Sequence, residues 1–249
     1  MKFENTDVWG FEHSLRGMRN PKNSWHKSDS HYGCDDEKYC DKCHDIGEYC
    51  FGYKGNDNYI IGKNDMKLAQ TLIKAGNEHR KFMRQIFVSV DITAPLYWWK
   101  EFDTYKVGTV ANSTSTMHKI TSQSITLDCF EIDDHEKDLK CLETYDSNIE
   151  VDYSTVDFEV HKFINFLENL RQKYLETKDK RYWKELIRWL PESWLQKRTI
   201  TMNYENVRNM YFQRRNHKLT EWSESFIKWV ESLPYAEELI MYDGKPENP

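Results

Sequence analysis

The chain has 249 residues, of which 39% are apolar and 31% charged, and its formal net charge is −6. This length suits one large domain with a sizeable core, and the acidic balance argues against a protein that binds duplex nucleic acid. No apolar run is long enough to predict a membrane span, and the N-terminal residues lack the pattern of a secretory signal, so we expect a cytoplasmic protein.

The chain begins with residues 1 to 9, which alternate loosely and predict a strand. Phe11 to Arg19 predicts a short helix that Asn20 and Pro21 end. An irregular insertion rich in Ser, Asp, Gly, Tyr and Cys follows, from residue 23 to about 60. A loop of this length is uncommon in a compact domain unless it is functional or held in place.

Four cysteines of the insertion have the spacing C-x5-C-x2-C-x6-C: Cys34, Cys40, Cys43 and Cys50. Cysteines in a chain without a secretory signal argue against a disulfide framework. Four thiolates in one loop can hold a tetrahedral zinc ion, which would also order the insertion. Only one pair has the C-x2-C spacing usual in structural zinc sites, so reduced thiols on a loop are the alternative.

A helix and a strand are predicted after the insertion. Apolar residues three and four positions apart predict a helix that Asn64 or Asp65 caps and Gly76 ends. Residues Arg84 to Thr93 then alternate between apolar and other side chains, which predicts a half-buried strand.

Residues 91 to 119 combine a strand end, an aromatic segment and a loop of small hydroxyl residues. The aromatic segment contains Trp98 and Trp99 and is too aromatic for an ordinary surface helix. The loop from Thr109 to Thr116 offers many small donors and acceptors, and Gly108 permits close backbone approach. This composition predicts a ligand-binding elbow, and a surface loop beside core tryptophans is the alternative.

The rest of the chain is predicted to be mostly helical. An acidic run from residue 131 to 138 is expected to be a solvated surface segment. Amphipathic helices are then predicted near residues 156–174, 182–190, 203–214 and 219–233. The whole chain, residues 1 to 249, is predicted to be one α+β domain in which a small antiparallel sheet packs with several helices.

A basic group lies among the C-terminal helices and comprises Lys197, Arg198, Arg208, Arg214, Arg215 and His217. Arg208 and Arg215 are seven positions apart and therefore face the same way on a helix. Because arginine binds phosphate in a two-pronged fashion, the group predicts a phosphate site in an acidic protein. A solvated helix face with surface ion pairs is the alternative.

Two blocks of the chain have a distinctive order and spacing. The first block, residues 72 to 119, contains the Ala94-Pro95 step into a bulky helix. The second block, residues 190 to 222, contains Leu190-Pro191, Thr201-x-Asn203, and Arg214 followed by Glu221-Trp222. Together the blocks resemble the two signature regions of the flavin-dependent thymidylate synthase family.

The resemblance implies a homotetramer whose active sites lie between subunits and hold FAD, the pyrimidine nucleotide dUMP and a folate. In that family a carbon is transferred from methylenetetrahydrofolate to C5 of the pyrimidine, and NADPH supplies a hydride through the flavin. The chain would then be a divergent transferase of this kind.

The resemblance also implies roles for individual residues. The cofactor-binding residues would be Gln85, Thr104, Lys106, Thr109, Asn112, Asn203 and Asn209. The substrate-binding residues would be Glu101, Thr114, Thr116, Lys197, Arg198 and Arg214, with Arg214 beside the pyrimidine ring and Lys197 or Arg198 at the phosphate. Tyr105 and Lys106 are the residues of the altered motif able to do proton chemistry, and they are the catalytic candidates.

The family's central motif, RHRxxSxNExSxRY, is replaced here by TYKVGTVANSTSTM, residues 104 to 117. Thr104, Tyr105 and Lys106 stand where the family has the Arg-His-Arg that holds the flavin, and Asn112 stands where it has Glu. Each lost charged hydrogen bond is worth about 1.5–3 kcal/mol. A non-catalytic nucleotide-binding or assembly protein that kept the fold is therefore the second hypothesis. A third is a different substrate, with a metal held by the cysteine insertion.

Overall fold

The computed structural model describes residues 1–33, 59–144 and 152–244. Cys34, Cys40, Cys43 and Cys50 lie outside these residues, so the zinc site stays a prediction. Within the described residues, no group of three or more His, Cys, Asp or Glu side chains could hold a metal ion. No helix in the described part of the chain is long and apolar enough to cross a membrane.

The described strands form one four-stranded sheet and two antiparallel pairs. They are β1 (Lys2–Trp9), β2 (His31–Tyr32), β3 (Tyr59–Ile60), β4 (Phe87–Pro95), β5 (Val110–Ser113), β6 (Lys140–Thr144), β7 (Asp152–Thr155) and β8 (Leu195–Asn203). The strand order in the larger sheet is β1-β4-β8-β5, and β2 pairs with β3 and β6 with β7. Alternate residues of β4 are buried, as the pattern predicts.

The helices are α1 (Phe11–Arg19), α2 (Lys63–Ala75), α3 (Leu96–Phe102), α4 (Thr116–Lys119), α5 (Val156–Thr177), α6 (Lys180–Arg188), α7 (Tyr204–Arg214) and α8 (Ile227–Glu231). Short 3-10 segments are Asn20–Lys22, Trp25–Lys27, Lys81–Gln85 and Leu127–Cys129. Glu221–Phe226 and Ala236–Ile240 are π-helical. The described chain is therefore α+β, with a small sheet and several helices, which confirms the predicted fold class.

The start of α2 differs from the prediction that Asn64 or Asp65 caps it. Gly62 occupies the N-cap position. The Asp29 carboxylate accepts hydrogen bonds from the backbone N–H of Asn64 at 2.8 Å and of Asp65 at 3.1 Å. A carboxylate distant in sequence thus satisfies the donors that a local cap would satisfy.

The described chain divides into two compact units. The first unit comprises Met1–Lys2, Ile92–Thr104 and Asn112–Arg198, and the second comprises Phe3–Asp91, Tyr105–Ala111 and Thr199–Pro249. Strands β1, β4, β5 and β8 contribute residues to both units. The description of the chain as a single domain stays a prediction.

The core of the first unit is built from α5, α6 and the segments before them. Its buried cluster comprises Ile120, Ile125, Phe130, Ile164, Leu167, Leu186 and Trp194. Trp98 and Trp99 of α3 are 0% and 1% exposed. The two tryptophans are therefore core residues, which was the alternative to a stacking platform for a ligand.

The side chain of Glu131, the first residue of the acidic run, is nearly inaccessible to solvent, so the prediction of a solvated segment is wrong for this side chain. Its side chain is 4% exposed and accepts a hydrogen bond from the Met1 ammonium at 3.0 Å. Burial raises the pKa of Glu131, although the ammonium opposes that shift. Asp133, two residues later, is exposed as predicted.

In the core of the second unit, α1 and α7 pack against the 3-10 segment Lys81–Gln85, and α7 packs against the C-terminal helical segments. Its largest fully buried side chains include Leu15, Tyr204, Trp222 and Phe226. The buried Tyr204 hydroxyl donates a hydrogen bond to the Pro234 carbonyl oxygen at 2.7 Å. Burial raises the pKa of Tyr204 above its ordinary range, so this phenol remains a neutral structural donor.

Candidate functional site

A tight turn of the second unit, Tyr105–Thr109, lies against the N-terminal end of α7. The Thr109 hydroxyl closes the turn by donating to the Tyr105 carbonyl oxygen at 2.7 Å. The Asn206 amide donates to the Val107 carbonyl oxygen at 2.6 Å. Gly108 has φ +78°, and a Cβ there would lie 2.8 Å from Asn206 Oδ1. Glycine therefore allows the turn to approach the helix closely.

Asn203, a predicted cofactor contact, caps α7 in this structure. Its side-chain oxygen accepts a hydrogen bond from the Asn206 backbone N–H at 3.0 Å, and Asn206 Oδ1 accepts from the Asn203 N–H at 3.4 Å. This is a reciprocal capping box. The capping role of Asn206 was not predicted from the sequence, although a polar residue three positions after a polar N-cap is a signal for a capping box.

One face of α7 carries polar amides. Asn206, Asn209 and Gln213 recur at three and four positions, so they share a face of the helix. Asn206 contacts Val107, and Gln213 accepts a hydrogen bond from the Tyr105 hydroxyl at 2.9 Å. Asn209, a predicted cofactor contact, is half-buried between them, on the face of α7 that carries the turn.

Arg214 and Tyr105 are brought together at the C-terminal end of α7. Arg214 Nε donates to the Tyr105 hydroxyl oxygen at 2.8 Å. The guanidinium also lies over aromatic rings, 4.9 Å from the Trp222 centroid and 5.5 Å from that of Tyr105. These contacts fix the orientation of a half-buried cation beside the candidate catalytic tyrosine.

The other predicted residues of the second unit lie at different places. Lys106 is exposed on the turn beside Tyr105. Gln85 ends the 3-10 segment before β4 and lies against α1, where its Oε1 would be 2.6 Å from a Cβ on Gly17. Lys106 therefore belongs with the turn, whereas Gln85 faces α1.

In the first unit, Arg198 has three side-chain contacts. Its Nη1 donates to Asp103 Oδ1 at 2.8 Å, and its Nε donates to Gln196 Oε1 at 2.9 Å. The guanidinium lies 4.2 Å from the centroid of the Trp99 ring. The ion pair with Asp103 offsets part of the charge that the phosphate prediction assigns to Arg198, although a phosphate can still share this cation.

The predicted hydroxyl loop is in part a strand, since Val110–Ser113 form β5, and its last residues are hydrogen-bonded to β8 within the first unit. Thr114 donates from its N–H at 2.9 Å and from its hydroxyl at 3.2 Å to the Lys197 carbonyl oxygen. The Gln196 amide donates to the Thr114 carbonyl oxygen at 3.1 Å and to the Thr116 hydroxyl at 3.3 Å. Gln196, which organises this loop, was missed because no local pattern marks it.

The remaining predicted residues of this unit lie at the end of α3 and in β5. The Thr104 hydroxyl donates to the Glu101 carbonyl oxygen at 2.7 Å, which ends the helix. Glu101 is half-buried, and Asn112 is exposed in β5. The Thr104 hydroxyl proton thus satisfies the backbone of its own unit.

Arg208 does not belong to a phosphate site, so this part of the basic-group prediction is wrong. It is buried and donates from Nη1 to the carbonyl oxygens of Ile240 and Tyr242, both at 2.6 Å. Burial, together with the charge of Arg80, lowers the pKa of Arg208 to about 10. The guanidinium satisfies carbonyls at the end of a helical segment. Arg215, seven residues later, is exposed.

The architecture is that of the flavin-dependent thymidylate synthases of known structure. One crystal structure of the enzyme ThyX from Helicobacter pylori, complexed with FAD and dUMP, has a TM-score of 0.59 at 14% identity, over 96% of this chain and 98% of that one. A second, also with FAD and dUMP, has a TM-score of 0.60 at 14% identity, over 98% of this chain and 100% of that one.

No protein-family model matches the sequence, and no curated protein sequence matches it significantly. At 14% identity the likeness to the two crystal structures establishes the fold. The predicted resemblance is therefore confirmed at the level of the fold. The roles of individual residues stay predictions.

Proposed function

We propose that this protein binds a pyrimidine nucleotide and FAD, and that it transfers a one-carbon group to C5 of the nucleotide. The observation that carries the proposal is the fold, which is shared over nearly the whole chain with two proteins solved in complex with FAD and dUMP. Methylenetetrahydrofolate would be the carbon donor and NADPH the reductant. The homotetramer and the cytoplasmic location implied by the resemblance are part of the same proposal.

Arg214 and its neighbours support the nucleotide part of the proposal. An arginine held against Tyr105 and Trp222 presents a planar cation with a fixed orientation, which suits the planar, oxygen-bearing edge of a pyrimidine. A side chain already ordered by its neighbours loses less conformational entropy when a ligand binds. Lys197 and Arg198 stay the phosphate contacts that the resemblance implies.

Tyr105 is the proposed proton-transferring residue. Its hydroxyl accepts from Arg214 Nε and donates to Gln213 Oε1, so the phenolic proton is held in a defined direction. A substrate atom that replaced Gln213 as the acceptor would receive the same hydrogen bond. Lys106, exposed on the same turn, is the second candidate.

The second unit retains groups that fit a flavin. The exposed Lys106 can pair with a phosphate, and the Asn203 amide nitrogen lies close to the backbone of Gly108. Bound FAD would supply hydride transfer. The altered motif has one cation where the family that the chain resembles has two arginines and a histidine. We therefore expect weaker binding of FAD than a complete motif would give.

One observation favours the second candidate function, a nucleotide-binding protein without flavin chemistry. The hydroxyl protons of Thr104, Thr109 and Thr114 all go to backbone carbonyl oxygens. These protons therefore satisfy the protein's own backbone, so the three hydroxyls are not donors to a flavin.

Purification with added FAD distinguishes the two functions. The enzyme is expected to be yellow, to bind close to one FAD per chain, and to form thymidylate from dUMP, methylenetetrahydrofolate and NADPH. A colourless protein that FAD does not stabilise, but dUMP does, would support the binding protein. A ligand at a hundredfold excess over its Kd stabilises the folded state by about 2.7 kcal/mol, so thermal unfolding detects either ligand.

A further inference from the structure

Gln213 is an exposed amide in the last turn of α7, directly before Arg214. Its side-chain oxygen is 2.9 Å from the Tyr105 hydroxyl, and the oxygen of that hydroxyl is 2.8 Å from Arg214 Nε. All three residues belong to the second unit. One phenolic hydroxyl therefore joins two neighbouring side chains of the helix and brings the amide close to the guanidinium.

The hydrogen bonds around the Tyr105 hydroxyl run in one direction. A guanidinium has donors and no acceptor, so Arg214 Nε donates and the phenol oxygen accepts. A hydroxyl that accepts from a cation becomes a stronger donor, and its proton goes to the amide oxygen of Gln213. This order of donors and acceptors decides which end of the amide is engaged by the protein.

The amide nitrogen of Gln213 is the end that stays available. A carboxamide carries two N–H donors beside its oxygen. In the part of the chain that the structure describes, neither N–H of Gln213 donates to another group. A bound molecule can therefore accept a hydrogen bond from this nitrogen without breaking one within the protein.

The group that orients the amide is itself held in place. Trp222 is 0% exposed, and its ring packs edge-on against the half-buried Tyr105 ring at a centroid distance of 6.3 Å. The Arg214 guanidinium lies 4.9 Å from the Trp222 centroid. An exposed glutamine ordinarily samples several rotamers, whereas the bond to Tyr105 restricts Gln213 before any ligand binds.

Pyrimidine bases differ in the group that they present at C4. Uracil carries an oxygen there, which accepts hydrogen bonds, and cytosine carries an amino group, which donates them. C4 adjoins C5, the carbon at which the proposed reaction takes place. If Tyr105 transfers a proton at C5, the amide bonded to Tyr105 lies beside the substituent on C4.

We propose that Gln213 is a specificity-determining residue that selects a 4-oxopyrimidine nucleotide over a 4-aminopyrimidine nucleotide. Its Nε2 donates to O4 of uracil, whereas the amino group of cytosine would bring two donors together without an acceptor. The contact belongs to the bound nucleotide before any proton leaves Tyr105. This role rests on the proposed function, since it requires the nucleotide to bind beside Tyr105 and Arg214.

The test compares the Kd of dUMP with the Kd of dCMP by calorimetry on the full chain. Both ligands carry the same phosphate, so a change of charge in the protein cancels in the ratio of the two values. The variants are Q213E, whose carboxylate can accept from Tyr105 and from a 4-amino group, Q213L, which has no polar group, and Y105F, which frees the amide to turn over. The matched control is N216D, which makes the same amide-to-acid change at an exposed residue after α7. Circular dichroism melting checks that each variant folds.

We expect the wild type and N216D to bind dUMP about tenfold or more tightly than dCMP, because the mismatched base leaves a donor unsatisfied. Q213E is expected to prefer dCMP, and Q213L and Y105F are expected to bind both nucleotides within about threefold of each other. A residue with a merely structural role would weaken both nucleotides equally and leave the ratio unchanged. The wild-type ratio in Q213E or in Q213L would therefore overturn the proposal.

The same measurements separate this role from the proposed function. A wild type that binds dUMP and dCMP equally would refute the role of Gln213 and leave the proposed function standing. A preference for dUMP that Q213E reverses, in a protein that forms no thymidylate, would support the role of Gln213 and refute the transferase activity. A wild type that binds neither nucleotide would refute both.

Discussion

Replacing Gly108 by alanine tests how the turn at Tyr105–Thr109 is fitted to α7. Gly108 has φ +78°, and the added Cβ would lie 2.8 Å from Asn206 Oδ1 and 3.0 Å from Asn203 Nδ2. The left-handed backbone costs a residue with a Cβ about 1–2 kcal/mol. The close contact of the Cβ with Asn206 and Asn203 adds a second cost. Both side chains belong to the capping box of α7, and loss of a cap costs about 1 kcal/mol. The expected total is about 2–3 kcal/mol.

Gly244 provides a matched control for the cost of placing a Cβ on left-handed backbone. Its φ is +75°, and a Cβ there would meet the flexible side chain of Lys74 at 3.2 Å. Urea unfolding should therefore show a loss of at most about 2 kcal/mol for G244A and a larger loss for G108A. FAD and nucleotide affinity should fall in G108A alone. Equal losses of stability in G108A and G244A, with ligand binding unchanged in G108A, would show that the turn does not need glycine at position 108 to approach α7.

Three further predictions concern buried groups and the cysteines. R208M should lower the free energy of unfolding by about 2–4 kcal/mol, because it leaves buried carbonyl oxygens without a donor; a loss below 0.5 kcal/mol in urea would contradict this role. D65N should lower stability at pH 7 by about 3 kcal/mol, because the Asp65 side chain is fully buried and pairs with Arg19 Nε at 2.5 Å. Since the folded-state pKa of Asp65 lies below its ordinary value, the wild-type advantage is present above about pH 4 and is lost as pH falls through the folded pKa. A difference in unfolding free energy between the wild type and D65N that stays constant down to pH 2 would contradict this role of Asp65. Elemental analysis should find about one zinc per chain if Cys34, Cys40, Cys43 and Cys50 bind metal, and less than a tenth of an equivalent would dismiss the site.

Local patterns predicted much of the fold. The helix Phe11–Arg19 has the bounds that its sequence predicts, because an apolar face and the Asn20-Pro21 step both act within a few residues. The strand before Pro95 and the long helix Val156–Thr177 were also predicted from periodicity. Periodicity reports burial of one face, which is the property that forms these elements.

Contacts between residues distant in sequence could not be predicted in this way. Asp29 caps α2, and Arg208 binds carbonyls more than thirty residues later in the chain. Neither role leaves a local signature, since a carboxylate in a loop and an arginine on a helix have many uses. The same limit explains why Gln196 was missed as the residue that holds Thr114 and Thr116.

The candidate site was predicted only in part, because it too depends on contacts between residues distant in sequence. A polar loop from Thr109 to Thr116, preceded by Gly108, was predicted from composition, and the resemblance identified Tyr105, Lys106 and Arg214. The contact between Arg214 and Tyr105 depends on how the turn and α7 pack. The sequence alone does not report this packing.

Calorimetry of dUMP binding to R214A, compared with R215A, shows directly whether Arg214 binds the nucleotide. Arg215 is the neighbouring exposed arginine, 5.0 Å from the Phe212 ring centroid. R215A therefore removes the same charge as R214A from an adjacent position and serves as the control. We expect dUMP to bind the wild type and R215A with equal affinity. We expect R214A to lose about 1.5–3 kcal/mol of binding energy, which is at least a tenfold rise in Kd. Equal affinity in R214A and wild type would contradict the proposed nucleotide site.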